Sequence, residues 1–299
     1  MVGPGHMRII EPISGMPRVT IRFRATHRYG EPVISRSSGS NHIRYWRDEV
    51  PVRLTTDAPL SYVENEASFI LTRPVHLVFG TDEPFEGSLE STCRDFCERT
   101  RDYWHEWVRR LAFSSDWQDE IIRAAITLKL CNYEETGAIV AALTTSIPEV
   151  PGSGRNWDYR FCWMRDAFFV VRALNRIGAT RTMEDFISYI LSVASGRADQ
   201  VRPLYGVVHT DVLEERTAPA LVGYGGDGPV RIGNAAVSQS QHDVYGSIIM
   251  DGIARCEREP SSHRPRGRSG QWLRPRIPSN WVNAGSAVRS VATVWPDRA

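Results

Sequence analysis

Lysine is almost missing from this chain. Of 36 lysine and arginine residues only Lys129 is a lysine. A bias this complete follows GC-rich codon usage rather than selection of guanidinium for bidentate binding. Net charge is missing as well, because 36 cationic residues face 35 anionic ones and leave +1. That balance gives no global attraction to nucleic acid or to an acidic membrane surface. No apolar run approaches the length that spans a bilayer. The opening MVGPGHMRIIEP lacks the apolar stretch of a secretory signal. Cysteine is sparse and odd in number: Cys93, Cys97, Cys131, Cys162 and Cys256. Irregular spacing and an unpaired count predict reduced thiols in a cytoplasmic protein, not a disulfide framework. Cys93 and Cys97 sit one helical turn apart, but no second pair or nearby histidine completes a zinc set. Buried or half-buried thiols are expected, with no metal and no cofactor.

What is present is enough for a substantial core. The 299 residues are 41% hydrophobic and 10% aromatic, the composition of a folded protein with one large or two ordinary domains. From residue 16 to about 86 the pattern is β. In RVTIRFRAT, Val19, Ile21, Phe23 and Ala25 alternate with Thr20, Arg22 and Arg24, the two-residue period of a half-buried strand. SFILT and HLVF are further short β runs. Residues 88–112 turn helical, with Phe96, Tyr103, Trp104 and Trp107 near three-to-four spacing. A second helix is expected at SSDWQDEIIRAAITLKLC, capped by Asp116, with Trp117, Ile121, Ala124, Ala125 and Leu128 as its buried stripe. DAFFVVRALNRIGA, TMEDFISYILSVAS and AAVSQSQHDVYGSIIMDGI read as three more helices, with long loops at alternate connections. Loops of that kind carry binding residues.

The densest chemistry is NWDYRFCWMRDAFF, residues 156–169, which packs aromatic rings, arginines and aspartates into the start of a helix. Rings stack on flat apolar faces, while Arg and Asp hold hydroxyls in fixed geometry, and sugars present both surfaces. The plain structural alternatives are an ion-paired helix start for Arg165 and Asp166, and core packing for Trp163. The carboxylate pairs Glu134–Glu135 and Glu214–Glu215 read as solvated surface, because adjacent side chains diverge on a regular element. Glu149, in the proline loop before the motif, is placed at the edge of the site at most.

TLKLCNYEETGAIVAALTTSIPEVPGSGRNWDYRFCWMRDAFF, followed by YGGDGPVRIGNAAVSQSQHDVYG, resembles the family-15 glycoside hydrolases, the glucoamylase and bacterial trehalase-like group. The resemblance is dense from about Leu128 to Gly252 and stops near Ile253. It implies a mixed fold: a β-sandwich portion, then an all-α, incomplete (α/α)6 toroid. The expected divisions are a partial sandwich over 1–87, a linker helix over 88–112, the first part of the barrel over 113–253, and an aberrant tail over 254–299. It also implies inverting hydrolysis of α-glucosidic bonds of a malto-oligosaccharide or trehalose, without nucleic acid or membrane as partner. In such a mechanism one carboxylic acid protonates the leaving oxygen and a second carboxylate activates water on the opposite face. The family pattern Tyr-x-x-x-Trp-x-Arg-Asp lines the innermost glucose subsite, and falls here on Tyr159, Trp163, Arg165 and Asp166. Arg231, in GPVRIGN, matches an arginine near the same pocket.

The pattern's general acid is missing. The family carries it in a Trp-Glu step beyond the GPVRIGN loop, and no Trp-Glu pair occurs in this sequence. From Ala254 to Ala299 the chain instead holds nine arginines, five prolines and six serines with no sustained apolar period. Two readings of that tail stand: a disordered basic segment, and GC-rich DNA translated out of frame, the one favoured here. The general acid and base are therefore expected beyond the C-terminus, the chain is expected to be an interior fragment, and no catalytic residue is assigned within it. On its own it is expected to be inactive. The alternatives are a non-catalytic glucose-binding remnant and another enzyme on a similar barrel, such as a disaccharide phosphorylase. The last needs a phosphate site, and GYGGDGP lacks the Lys-Ser/Thr ending of a P-loop.

Overall fold

The computed structural model describes residues 5–47, 49–113, 116–195, 201–208, 213–244, 246 and 288–294. The chain divides into two compact units, one made of Met1–Glu106 with Arg276–Ala299 and the other of Trp107–Pro275. The fold is mixed, with most strands in the first unit and most helices in the second.

In the first unit the strands are β1 (Gly5–Pro12), β2 (Arg18–Val19), β3 (Thr26–His27), β4 (Glu31–Pro32), β5 (Ser35–Ser38), β6 (His42–Arg47), β7 (Val50–Thr56), β8 (Phe69–Ile70) and β9 (Val75–Thr81). A short helix, α1 (Leu60–Glu64), follows β7, and α2 (Leu89–Arg109) follows β9. The main sheet is antiparallel and runs in the order β1-β9-β7-β6-β5, with the strand Val288–Val294 outside β1. Alternate side chains go to opposite faces. Ile43, Tyr45, Leu54 and Leu77 enter one core together with Ile21, Val63 and Leu71. Met7, Ile9 and Val78 enter the other, where Cys93 and Phe96 of α2 cover them.

Several expectations change here. The sheet begins at Gly5, ahead of the first strand read from the sequence. RVTIRFRAT keeps the expected alternation of burial, with Ile21 buried and Arg22 and Arg24 exposed. Only Arg18 and Val19 of that run pair as strand, against Ile70 and Phe69. Within 254–299, expected to be an aberrant tail, Val288–Val294 is a strand, with Val294 opposite His6. The remainder of 254–299, including Cys256, lies outside the described residues.

In the second unit α3 (Gln118–Leu130) begins after Trp117, which sits in a left-handed conformation with no side-chain cap. Asp116 is therefore not the cap. Trp117 is 75% exposed rather than buried. The buried face is Ile122, Ala125 and Lys129, a small rotation from the predicted stripe, and Ala124 faces solvent. The chain continues through β10 (Thr145–Pro148), β11 (Asn156–Asp158), β12 (Cys162–Trp163), α4 (Met164–Arg176) and α5 (Thr180–Ser195). After these come three short strands, β13 (Leu204–Tyr205), β14 (Arg216–Thr217) and β15 (Arg231–Ile232). Met164, Ala167 and Val171 of α4 pack against Met183, Phe186 and Ile187 of α5 to form the largest core of this unit. The helix read at AAVSQSQHDVYGSIIMDGI opens as a 3-10 turn, Ala235–Ser238, capped by the Asn234 side chain. Most of its later part lies outside the described residues. Among the described residues, no helix is long and apolar enough to cross a membrane.

Candidate functional site

The site is built on two segments joined by one buried carboxylate. Asp158, with no exposed surface, sits at the end of β11. It binds Arg160 through both oxygens, at 2.9 Å to Nε and 2.8 Å to Nη2. Its Oδ2 also accepts from the Gly233 amide at 3.2 Å, and its backbone oxygen accepts from Asn234 Nδ2 at 3.2 Å. Asn156 reaches the same loop further back, donating to the carbonyls of Asp227 and Pro229, each at 3.1 Å. Gly233 has φ +78°, and a Cβ there would lie 2.1 Å from the Glu214 carbonyl oxygen, so only glycine fits. These ties bring the glycine-rich loop, and Arg231 with it, to the aromatic motif. Asp158 and Asn156 carry this join but were not singled out in the sequence, since their partners lie 71–76 residues away.

Tyr159 and Asp166 come close enough for the Asp166 charge to act on the phenol. Burial raises the Tyr159 pKa first, the Glu149 charge and hydrogen bond add to it, Asp166 adds further, and Arg155 opposes. Asp166 lies in the first turn of α4, where the helix dipole favours a carboxylate. Arg165 beside it spans two acids, with Nη2 at 3.6 Å from Asp166 Oδ2 and Nη1 at 3.2 Å from Asp243 Oδ2. The ion-paired helix start is thus real, although the cap itself is Trp163 and makes no side-chain cap bond. Trp163 packs beside Phe161, Leu204 and Ala236, so the core-packing alternative also describes part of its environment.

Arg231 is drawn in through three partners. Its guanidinium lies 5.4 Å from the centre of the Trp157 ring, and Nη1 donates to Glu215 Oε1 at 2.9 Å. Its amide donates to Ser146 Oγ at 2.7 Å. Glu215, read from sequence as solvated surface, is half-buried in this ion pair and also accepts from the Ala235 amide at 3.2 Å. Glu134 keeps an exposed position but pairs with buried Lys129 at 2.6 Å. Glu149 stands nearer the site than the sequence placed it, accepting from Trp157 Nε1 at 2.9 Å.

Three of the five predicted sugar contacts hold a buried polar atom with no hydrogen-bond partner: Trp163 Nε1, Asp166 Oδ2 and Arg231 Nε. Buried polar groups are bonded in the great majority of cases; two of these atoms, on Trp163 and Asp166, belong to the aromatic motif, and the third belongs to Arg231, which meets Trp157. Among the described residues no group of three His, Cys, Asp or Glu side chains is placed to hold a metal. Cys162 and Cys93 are fully buried, and burial pushes both thiols up to about 12.

The profile of the glycosyl hydrolases of family 15 matches residues 116–264, a span that contains every residue of this site and runs past Ile253. The chain belongs to glycosyl hydrolase family 15. It is similar to a trehalase of Thermoplasma volcanium, 34% identical over 82% of this chain and 40% of the relative. A trehalase of Thermoplasma acidophilum is 42% identical over 51% of this chain and 26% of its own length. One of Mycobacterium tuberculosis is 41% identical over 50% of this chain and 23% of its own. The chain therefore spans well under half of the relatives it matches. No solved structure matches it.

Proposed function

We propose that this chain forms the glucose-binding end of an inverting α-glucoside hydrolase whose substrate is trehalose. The observation that carries the reading is the set of buried polar atoms without a hydrogen bond on Trp163, Asp166 and Arg231. A glucose ring supplies the matching hydroxyls. Asp166 accepts from them, Arg165 donates to them, and Tyr159 and Trp163 wall the ring's C–H face. The shared name of the relatives favours trehalose over malto-oligosaccharides. In the architecture we propose, the sheet unit is part of a β-sandwich, and α4 with α5 is a helix pair of an (α/α)6 barrel. The four free cysteines of the described residues suit a reducing, cytoplasmic setting.

Inversion needs an acid and a base set far enough apart to admit a water. This sequence contains no Trp-Glu step to supply the acid in the family's manner. The 299-residue chain by itself therefore binds the glucoside without turning it over. Purified chain incubated with trehalose or maltose tests this. No glucose above blank is expected, and release of glucose overturns the assignment of no catalytic residue to this chain.

A further inference from the structure

Glu149 is outside the residues assigned to sugar contact, yet three donors converge on it. Trp157 Nε1 donates to Oε1 at 2.9 Å, and the Tyr159 hydroxyl donates to the same oxygen at 3.4 Å. Arg155 Nη2 meets Oε2 at 2.7 Å. All three donors lie on or beside β11, while Glu149 follows β10 on the other arm of the hairpin. The backbone closes the same turn, with the Glu149 amide donating to the Arg155 carbonyl at 3.1 Å.

We propose that Glu149 is a positioning residue for the sugar cup. It takes the Tyr159 hydroxyl proton into a protein hydrogen bond, so that Tyr159 meets the substrate as an acceptor. The inference rests on the reading of Tyr159 as a sugar contact. A phenol has one proton and two lone pairs. Once the proton is committed to a carboxylate, which is a stronger acceptor than a neutral oxygen, only lone pairs remain for a sugar hydroxyl. The same carboxylate occupies the Trp157 indole N–H. Trp157 then meets Arg231 with its face rather than competing for substrate hydroxyls with its edge. Arg155 holds the far oxygen, which fixes the carboxylate's orientation.

Glu149→Gln tests this, because it keeps the shape and an acceptor oxygen and removes the charge. Two measurements are made on the full chain. The first is the ionisation of Tyr159, read by ultraviolet difference titration against a Tyr159→Phe reference. The second is trehalose affinity by calorimetry. In Glu149→Gln, Tyr159 should ionise at lower pH, since Asp166 remains as the only opposing carboxylate. Trehalose should bind about tenfold more weakly, the scale of one charge-assisted hydrogen bond. Glu149→Asp, which keeps the charge, should recover part of both. An unchanged Tyr159 titration overturns the proposal, as does unchanged affinity with a shifted titration. If the unaltered chain binds no trehalose, the sugar reading of the site fails, while the titration still decides whether Glu149 holds Tyr159. Should Glu149→Gln not fold, Glu149→Ala takes its place in both measurements, with the same shifts expected and the same unchanged titration or affinity overturning the proposal.

Discussion

The Arg231 guanidinium stands over the Trp157 ring, 5.4 Å from its centre. That contact ties Arg231 to the aromatic segment, while its ion pair with Glu215 at 2.9 Å holds it to the segment that leads into β14. Lysine in place of Arg231 keeps the charge but loses the flat stack and the fork of donors. Arg231→Lys should weaken trehalose binding about three- to tenfold, from loss of a cation–π contact and a charge-assisted bond. Calorimetry measures the loss, and tryptophan fluorescence should change because Trp157 loses its neighbour. Unchanged affinity would remove Arg231 from the sugar cup.

Asp158 carries more structure than any other carboxylate of the site. Asp158→Ala removes the acceptor of the Gly233 amide and the carboxylate that Arg160 holds with two donors. The expected cost is about 3 kcal/mol of stability, seen as a lower denaturant midpoint. Loss of trehalose binding should accompany it, because the glycine-rich loop is released from β11. A midpoint equal to that of the unaltered chain contradicts this account of the hub.

How much of this could be read beforehand depended on the distance between partners. The ring-and-charge cluster from Tyr159 to Asp166 is local, so the sequence displayed those residue types together openly. The partnerships of Asp158 with Gly233 and of Glu149 with Tyr159 lie across loops, and no residue pattern announces them. Glu215 was misread because adjacent carboxylates usually face water, whereas the β14–β15 pairing turns this one toward Arg231. In the sheet unit the alternation at Val19, Ile21 and Phe23 foretold burial correctly but overstated pairing, since a chain can alternate against a core without a neighbouring strand. Trp117 failed for a backbone reason. Its left-handed conformation, φ 58°, carries the side chain away from the stripe that periodicity assigned to it.

The thiols give a pH prediction with a definite sign. Cys93 and Cys162 are raised from 9.0 to about 12 by burial, which disfavours the thiolate. The folded state therefore gains stability from the neutral thiols at pH below about 9, and loses it as pH rises from there toward about 12. At pH 8 the thiolate fraction at each is of order one in ten thousand. Iodoacetamide labelling of the native chain followed by mass spectrometry should modify half-buried Cys97 well before either residue. Rapid labelling of Cys162 would contradict its burial.

The central claim is that Tyr159, Trp163, Arg165 and Asp166 together hold one glucose unit. Calorimetric titration of trehalose into the full chain, beside Asp166→Asn, tests it most directly. Saturable one-site binding by the unaltered chain is predicted, weakened at least about tenfold in Asp166→Asn through loss of a charged acceptor. Equal affinity in the two proteins would contradict it.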